Sequence, residues 1–163
     1  MKIELVDLEE FSGNKAHIYS VLLDDAEDTL FDQFIEENRT LYYRDLREIV
    51  KQLKVMGDNT GCQIEFFKLN EGRLGDGVAA IWSGRIRLYC LRFDSSLIIV
   101  GDGGYKSPKI RAYQDDPALS AKAKQMKRIA KLVNERIIEK DLIINEDGTI
   151  SGELTIEDYE WKS

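Results

Sequence analysis

Apolar and polar residues follow one another along the middle of the chain in a way that predicts three consecutive short strands. Residues 78–82 form an apolar run, residues 85–93 alternate between apolar and polar side chains, and residues 97–100 are apolar again. Ser-Gly and Asp-Ser-Ser separate these runs, and such residues are typical of tight turns. The pattern therefore predicts an antiparallel meander, preceded by a further strand over residues 62–69.

Helical periodicity precedes this meander. Apolar residues recur at one-turn spacing in two stretches, the first after Asp24 and Asp25 and the second after Thr40, a residue type favoured at helix N-termini. The second stretch ends at Gly57, as is common at a helix C-terminus. We expect two helices that form a helical hairpin, with these apolar positions: Leu30, Phe31, Phe34 and Ile35 in the first helix, and Tyr43, Leu46, Val50 and Leu53 in the second.

A third helix and a second hairpin are predicted after the meander. Asp116 suits a helix cap and Pro117 suits the first helical position, and the apolar residues that follow are spaced 4-3-4-3-4. Further along, the Asp-Gly pair at residues 147–148 predicts a hairpin turn between apolar segments at residues 142–144 and 149–154.

The N-terminal residues leave two alternatives open. Residues 2–8 predict a strand, whereas residues 16–23 form an apolar run that suits either a strand or the approach to the first helix. No internal repeat or linker divides the 163 residues. The sequence therefore predicts one α+β domain over residues 1–163, in which an N-terminal helical hairpin packs on an antiparallel sheet, with a C-terminal helix and a terminal β-hairpin.

The charge of the chain is distributed unevenly. The net charge is -7, but residues 68–131 contain 13 Lys and Arg against 6 Asp and Glu, a local charge of +7. An acidic protein with one basic segment can still present a positive surface to phosphate groups, although binding would be local and sensitive to salt. The alternative is that these cations form only the solvated side of a helix.

Several functional classes are disfavoured by composition. No apolar run approaches the ~20 residues that a membrane span requires, and the N-terminus lacks the basic start and apolar block of a signal peptide, so we expect a cytoplasmic protein without a membrane partner. Cys62 and Cys90 lack metal-ligand spacing, and His17 is the single histidine, so no metal or other cofactor is expected. The glycine-rich segment at residues 101–104 lacks the strand–GxGxxG–helix context of a nucleotide site and is expected to be a turn.

Short motifs within residues 66–117 resemble the RelE/HigB-like superfamily of bacterial toxins, which has the RelE/ParE-type fold. The predicted order of strand, two helices and antiparallel meander is similar to that family. The Arg-Leu-Tyr motif at residues 87–89 resembles its arginine-bearing strand. The apolar residues 98–100, followed by a glycine-rich segment and by Tyr105 and Lys106, resemble its last core strand and the basic segment after it. The N-terminal ~20 residues and the C-terminal hairpin would be extensions of the minimal fold.

This resemblance implies a metal-free mRNA endoribonuclease that acts as the toxin of a toxin–antitoxin pair. Its partners would be mRNA, often on the ribosome, and a cognate antitoxin protein. The ribose 2′-hydroxyl would attack the adjacent phosphate, so the site needs cations that stabilise the phosphorane and a group that transfers a proton. Arginine suits phosphate oxygens because of its planar donors, and an aromatic side chain can stack on a base.

The candidate site residues lie on and beside the meander. Alternation along residues 85–90 places Arg85, Arg87 and Tyr89 on one strand face and the apolar residues on the face that the helices would cover. The resemblance implies Arg87 and Lys106 as catalytic candidates and Tyr89 and Tyr105 as substrate-binding candidates. Arg85 is added as a third catalytic candidate, and Lys68 and Arg73 as substrate-binding candidates, because they flank the same sheet.

Other interpretations of these residues stay open. The arginines can be ordinary surface or salt-bridged residues, Tyr89 can be a packing aromatic, and Lys68 and Arg73 can be charges that flank a loop. Residues 78–82, where many family members carry ionisable groups, contain none, so no proton-transfer residue is identified. The alternative function is a non-catalytic binding or regulatory protein that keeps the RelE-type fold. A small-molecule phosphate binder that uses the glycine-rich turn ranks below both.

Overall fold

The computed structural model describes residues 1–69, 77–108 and 116–158. Strands and helices alternate irregularly along the chain, as expected for an α+β protein. The helices are α1 (Leu30–Asn38), α2 (Tyr43–Val55) and α3 (Pro117–Ile138). The strands are β1 (Lys2–Asp7), β2 (His17–Leu23), β3 (Phe67–Leu69), β4 (Ala79–Ser83), β5 (Ile86–Asp94), β6 (Leu97–Tyr105), β7 (Leu142–Ile144), β8 (Ile150–Gly152) and β9 (Thr155–Glu157).

The main sheet has seven strands in the order β3-β4-β5-β6-β2-β1-β9. Strands β3 to β6 form the antiparallel meander, and β1 pairs antiparallel with both β2 and β9. Strand β2 runs parallel to β6, with His17 opposite Leu97 and Tyr19 opposite Ile99. The prediction of an antiparallel sheet is therefore wrong. The sheet is mixed because the N-terminal segment adds two strands to it and one of them lies parallel to the last strand of the meander.

The predicted N-terminal helical hairpin is also wrong. The first helix begins at Leu30, after β1 and β2, and is closed by a capping box in which Thr29 Oγ1 accepts a hydrogen bond of 3.1 Å from the Asp32 amide. Helix α1 packs mainly against β6 and β2, whereas α2 packs against β4, and the two helices touch each other little. Each helix buries its apolar stripe on a different part of the sheet, so neither needs the other as a partner.

Apolar side chains on the two faces of the sheet form two cores. One core joins α1 and α2 to one face, through residues such as Phe34, Leu53 and Ile98. The other joins α3 to the opposite face, through residues such as Met126 and Ile99. Both faces of the central strands are therefore covered.

Helix α3 and the β7–β8 hairpin form where the sequence predicts them. The Asp116 carboxylate caps α3 by accepting hydrogen bonds from the amides of Ala118 (3.0 Å) and Leu119 (3.2 Å). Gly148, at φ 92°, closes the hairpin turn in a conformation that favours glycine. Over the described ranges, no helix combines the length and the hydrophobicity that crossing a membrane requires.

Candidate functional site

Arg87, the leading catalytic candidate, lies inside the protein. It is 4% exposed, and strand alternation puts it on the same face of β5 as Tyr89 and Leu91, which belong to the core under α3. Its Nη1 atom donates hydrogen bonds to the carbonyl oxygens of Gly84 (2.8 Å) and Ile86 (3.2 Å). These contacts hold the turn between β4 and β5, which is a structural role for the guanidinium.

Tyr89 is also withdrawn from solvent. Its exposed fraction is 0%, and it is among the largest fully buried side chains of the described residues. The alternation correctly predicts that Tyr89 and Arg87 lie on the same face of β5. That face is buried, however, and stacking on a base requires an open surface. The packing alternative describes Tyr89 better than the substrate-binding one.

Three other candidates meet at one end of the sheet. Arg85 donates hydrogen bonds of 2.7 Å from Nε to the Lys106 carbonyl and from Nη2 to the Ser107 carbonyl. The Lys106 amide donates in return to the Arg85 carbonyl (2.8 Å), and Tyr105 pairs with Ile86 across the two strands. Arg85, Tyr105 and Lys106 are therefore neighbours, with Arg85 anchoring the backbone that follows β6.

Tyr105 belongs to an exposed aromatic patch that sequence analysis missed. Its ring stacks on Tyr42, with 5.0 Å between centroids and an interplanar angle of 7°. Leu41 is 78% exposed, Tyr43 is 60% exposed and Tyr105 is 39% exposed. We name Leu41, Tyr42, Tyr43 and Tyr105 the aromatic patch. Three consecutive large apolar residues, Leu41 to Tyr43, at the start of α2 were the available signal, because only Tyr43 fits the helical stripe there.

The aromatic patch has cations beside it. The Arg47 guanidinium lies 5.7 Å from the centroid of the Tyr43 ring, within the range of a cation–π contact. Arg39 and Arg44 are exposed on either side of the patch in the chain. Aromatic rings beside arginines are typical of surfaces that bind proteins or nucleic acids.

The remaining two candidates lie apart from this end or outside the described residues. Lys68 is on the edge strand β3, where its Nζ atom lies 5.1 Å from the centroid of the Trp82 ring. This cation–π contact gives Lys68 a local packing role. Arg73 falls in the segment 70–76, outside the described residues.

The glycine-rich segment is part of β6 and not the predicted turn. A Cβ atom on Gly103 would lie 1.9 Å from the Arg87 carbonyl oxygen, and one on Gly101 would lie 2.5 Å from the Met126 sulfur. The register of β5 against β6 shifts between Leu88 and Cys90, because Gly101 and Asp102 of β6 form a β-bulge opposite Tyr89. The glycines therefore permit close packing of backbone and helix, and nothing in this geometry favours the phosphate-binding alternative.

Asp102 is the buried acid of this bulge. Its carboxylate accepts a hydrogen bond of 2.7 Å from the Gly103 amide. Lys122 Nζ lies 3.5 Å from Asp102, 2.6 Å from a Glu37 carboxylate oxygen and 2.7 Å from the Gly103 carbonyl oxygen. Burial raises the pKa of Asp102 above its ordinary value, although Lys122 opposes the shift. This cluster ties α3 to α1 across the end of β6.

His17, for which the sequence suggested no role, is paired with an acid. Its Nδ1 atom lies 2.8 Å from Asp7, and the other oxygen of that carboxylate accepts a hydrogen bond of 2.5 Å from Ser12 Oγ. The Ser12 hydroxyl also accepts from the Ile18 amide. The three side chains fix the loop between β1 and β2. Among the described residues, no three His, Cys, Asp or Glu side chains are grouped as metal ligands.

Comparison with protein-family models, with curated proteins and with solved structures finds no match to this chain.

Proposed function

We propose that this protein is a non-catalytic binding protein and not an mRNA endoribonuclease. The observation that carries this proposal is the burial of Arg87, which is 4% exposed and donates to the Gly84 and Ile86 carbonyls. Helix α3 packs nearby, since a Cβ atom on Gly104, the residue opposite Arg87 on β6, would lie 3.5 Å from the Leu119 side chain. A catalytic arginine has to reach a phosphate oxygen, and a side chain this buried is withdrawn from a bound RNA strand.

The energetics make α3 a permanent cover. The helix buries several large apolar side chains, including Leu119, Met126, Ile129, Leu132 and Val133. Each fully buried side chain of this size contributes about 1.5–3 kcal/mol. Together they rival the ~5–15 kcal/mol that a typical domain has in total, so exposing this face would unfold the protein.

Of the acids and the histidine in the described ranges, Asp45 contacts the β4–β5 turn, whereas His17 lies far from it. The Asp45 carboxylate accepts a hydrogen bond of 2.8 Å from Ser83 Oγ, so one of its oxygens is already engaged at this turn. His17 pairs with Leu97 at the start of β6, whereas Tyr105 ends that strand. At ~3.3 Å per residue these two ends are about 25 Å apart, so His17 cannot serve a reaction at Tyr105.

Kinship with the RelE/HigB-like superfamily is part of the proposal. It is supported by the order of β2, α1, α2 and the meander β3 to β6, which is the order on which the resemblance rests. The extensions β1 and β9 and the β7–β8 hairpin would then be additions to that arrangement. Such a protein would have kept a binding surface while its arginine strand became part of the core.

The endoribonuclease remains the second candidate because of one observation. Arg85, Tyr105 and Lys106 do meet at a surface, and Tyr42 enlarges it with a second ring. Under this alternative the RNA strand would lie across the aromatic patch, with Lys106 near a phosphate.

Cleavage of translated mRNA separates the two candidates. Wild-type protein would be produced in a bacterium and also added to a purified translation system, and mRNA ends would be mapped by primer extension. We expect no growth arrest and no new ends. Cleavage that disappears in Lys106→Ala, but persists in Lys124→Ala, a control at an exposed position of α3, would overturn the proposal. Lys106→Ala is the better test because Arg87→Ala is expected to lower the stability of the fold.

A further inference from the structure

A groove of about 420 Å³ runs along the outer side of α2. Its apolar lining comes from Ile35 of α1 and from Leu46 and Val50 of α2. Ile35 and Val50 are only partly buried against the core below them, so part of each side chain is turned outward. Tyr43, which belongs to the aromatic patch, closes one end, so the groove and the patch form a continuous apolar surface.

Cations line the groove along one helix. Arg47, Lys51 and Lys54 are exposed and contribute to its walls, together with one acid, Glu48. Residues four and three apart occupy the same side of a helix, so these cations form a row of about 10 Å at 1.5 Å per residue. The net positive wall stands out in a chain whose net charge is -7.

We propose that this groove binds an acidic amphipathic helix of a partner protein. Leu-like side chains at one-turn spacing would occupy the apolar lining, and Asp or Glu one turn apart on the partner would face Arg47, Lys51 and Lys54. The inference rests on the proposed function, since it names the class of partner that a non-catalytic binding protein would hold. In physiological salt the Debye length is ~8 Å, so these cations attract an acidic ligand only when it is already close to the groove.

The composition of the groove favours a helix over RNA. Tyr43 is the one ring among the described residues that line it, and Arg47 already lies over that ring, 5.7 Å from its centroid. Glu48 would repel a phosphate. An amphipathic helix matches both features, because it presents an apolar stripe and a row of charges side by side. Tyr43 extends the apolar contact toward Leu41, which is otherwise exposed to water.

The test uses a labelled synthetic helix as the probe. A peptide with Leu at every third or fourth position and Glu on the flanking positions would be titrated with full-length protein by fluorescence anisotropy. A matched peptide with Lys in place of Glu is the charge control. We expect binding of the Glu peptide at about 10–100 μM, and no binding of the Lys peptide at the same concentrations.

Matched variants locate the site. Lys51→Glu combined with Lys54→Glu should weaken binding by at least about tenfold, since each reversal replaces an attraction by a repulsion. Val50→Asp should abolish binding. Lys124→Glu combined with Lys131→Glu makes the same charge change on exposed positions of α3 and should leave the affinity within about twofold. Backbone amide shifts on adding the Glu peptide should be concentrated in α2 and at Ile35.

Four results would overturn the inference. The first is equal binding of the two peptides, and the second is binding that the α2 reversals leave unchanged. The third is that a single-stranded RNA shifts the α2 amide signals while the Glu peptide does not. The fourth is self-association of the wild-type protein in sedimentation that the α2 reversals abolish, which would make a second copy the occupant. None of these measurements uses RNA cleavage, so a protein that cleaves mRNA yet binds the Glu peptide contradicts only the proposed function.

Discussion

The Nη1 atom of Arg87 donates a hydrogen bond of 2.8 Å to the carbonyl oxygen of Gly84, within the turn that joins β4 and β5. Gly84 has a φ of 55°, so this turn depends on a left-handed residue as well as on the arginine. A buried guanidinium is tolerated only when its donors are satisfied, and here the backbone supplies acceptors. The pair gives the arginine of the motif that resembles a catalytic strand a structural contact in this turn.

Replacement of Arg87 by Ala should therefore reduce stability. The variant loses charge-assisted hydrogen bonds and the packing of a long side chain, and we expect the free energy of unfolding to fall by about 2–4 kcal/mol. Urea denaturation followed by circular dichroism measures the change. The exposed control Arg44→Ala should change it by less than about 0.5 kcal/mol. An unchanged urea midpoint for Arg87→Ala would show that these hydrogen bonds contribute nothing.

Local patterns predicted the elements better than their arrangement. The alternation of residues 85–93 correctly grouped Arg87 with Tyr89, and the 4-3-4-3-4 spacing correctly predicted α3. Which face α3 covers depends on long-range packing, and that information is absent from any short window. The same holds for β2, whose apolar run suited a strand but could not reveal its parallel pairing with β6.

In the candidate site, too, contacts within one hairpin could be predicted from the sequence, whereas contacts between distant elements could not. Arg85 and Lys106 are neighbours because a hairpin brings them together, and hairpin geometry can be deduced from the turn between β5 and β6. Tyr42 is brought to Tyr105 by the placement of α2 on β4, a tertiary contact that leaves no periodic signal. Asp102 is placed near Lys122 of α3 by the β-bulge in β6, and sequence patterns rarely specify a bulge.

Tyr42 and Tyr105 should be coupled energetically. Their nearly parallel rings stack at the surface, and such pairs contribute about 0.5–1.5 kcal/mol beyond the area that they bury. A double-mutant cycle with Tyr42→Leu and Tyr105→Leu, measured by urea denaturation, gives this coupling free energy directly. Tyr43→Leu paired with Tyr105→Leu is the matched control and should give additive changes. Additivity in the Tyr42–Tyr105 cycle would mean that the stack is energetically neutral.

Asp102 should make stability depend on pH. Burial raises its pKa in the folded protein above the value in the unfolded chain. The folded state therefore binds the proton more tightly, so the stabilisation linked to this group is complete below the unfolded pKa of ~3.9 and is lost as pH rises through the folded pKa. In Asp102→Asn the amide oxygen can still accept from the Gly103 amide, but the titration is gone.

The comparison with Asp102→Asn isolates this effect. Urea denaturation of both proteins between pH 4 and pH 7 should show that the variant gains stability relative to the wild type as pH rises. The exposed control Asp58→Asn should follow the wild-type profile more closely, because its carboxylate is not withdrawn from water. A constant difference between wild type and Asp102→Asn across this range would contradict the raised pKa.

The two cysteines should be inert in the folded protein. Burial raises the pKa of the Cys62 thiol to about 12, and burial also raises the pKa of Cys90. A thiol reacts as its thiolate, so at pH 8 the thiolate fraction of Cys62 is on the order of 10³-fold below that of an unperturbed cysteine.

Iodoacetamide should label neither cysteine in the native protein. In 6 M urea both should be labelled on the scale of minutes, the rate of exposed thiols with a pKa of ~8.5. Mass spectrometry of alkylated peptides distinguishes the two positions. Rapid native labelling of Cys62 together with slow labelling of Cys90 would contradict the prediction for Cys62. It would show that the π-helical turn Met56–Thr60 opens while the sheet stays intact, because Cys62 follows this turn and Cys90 lies at the centre of β5.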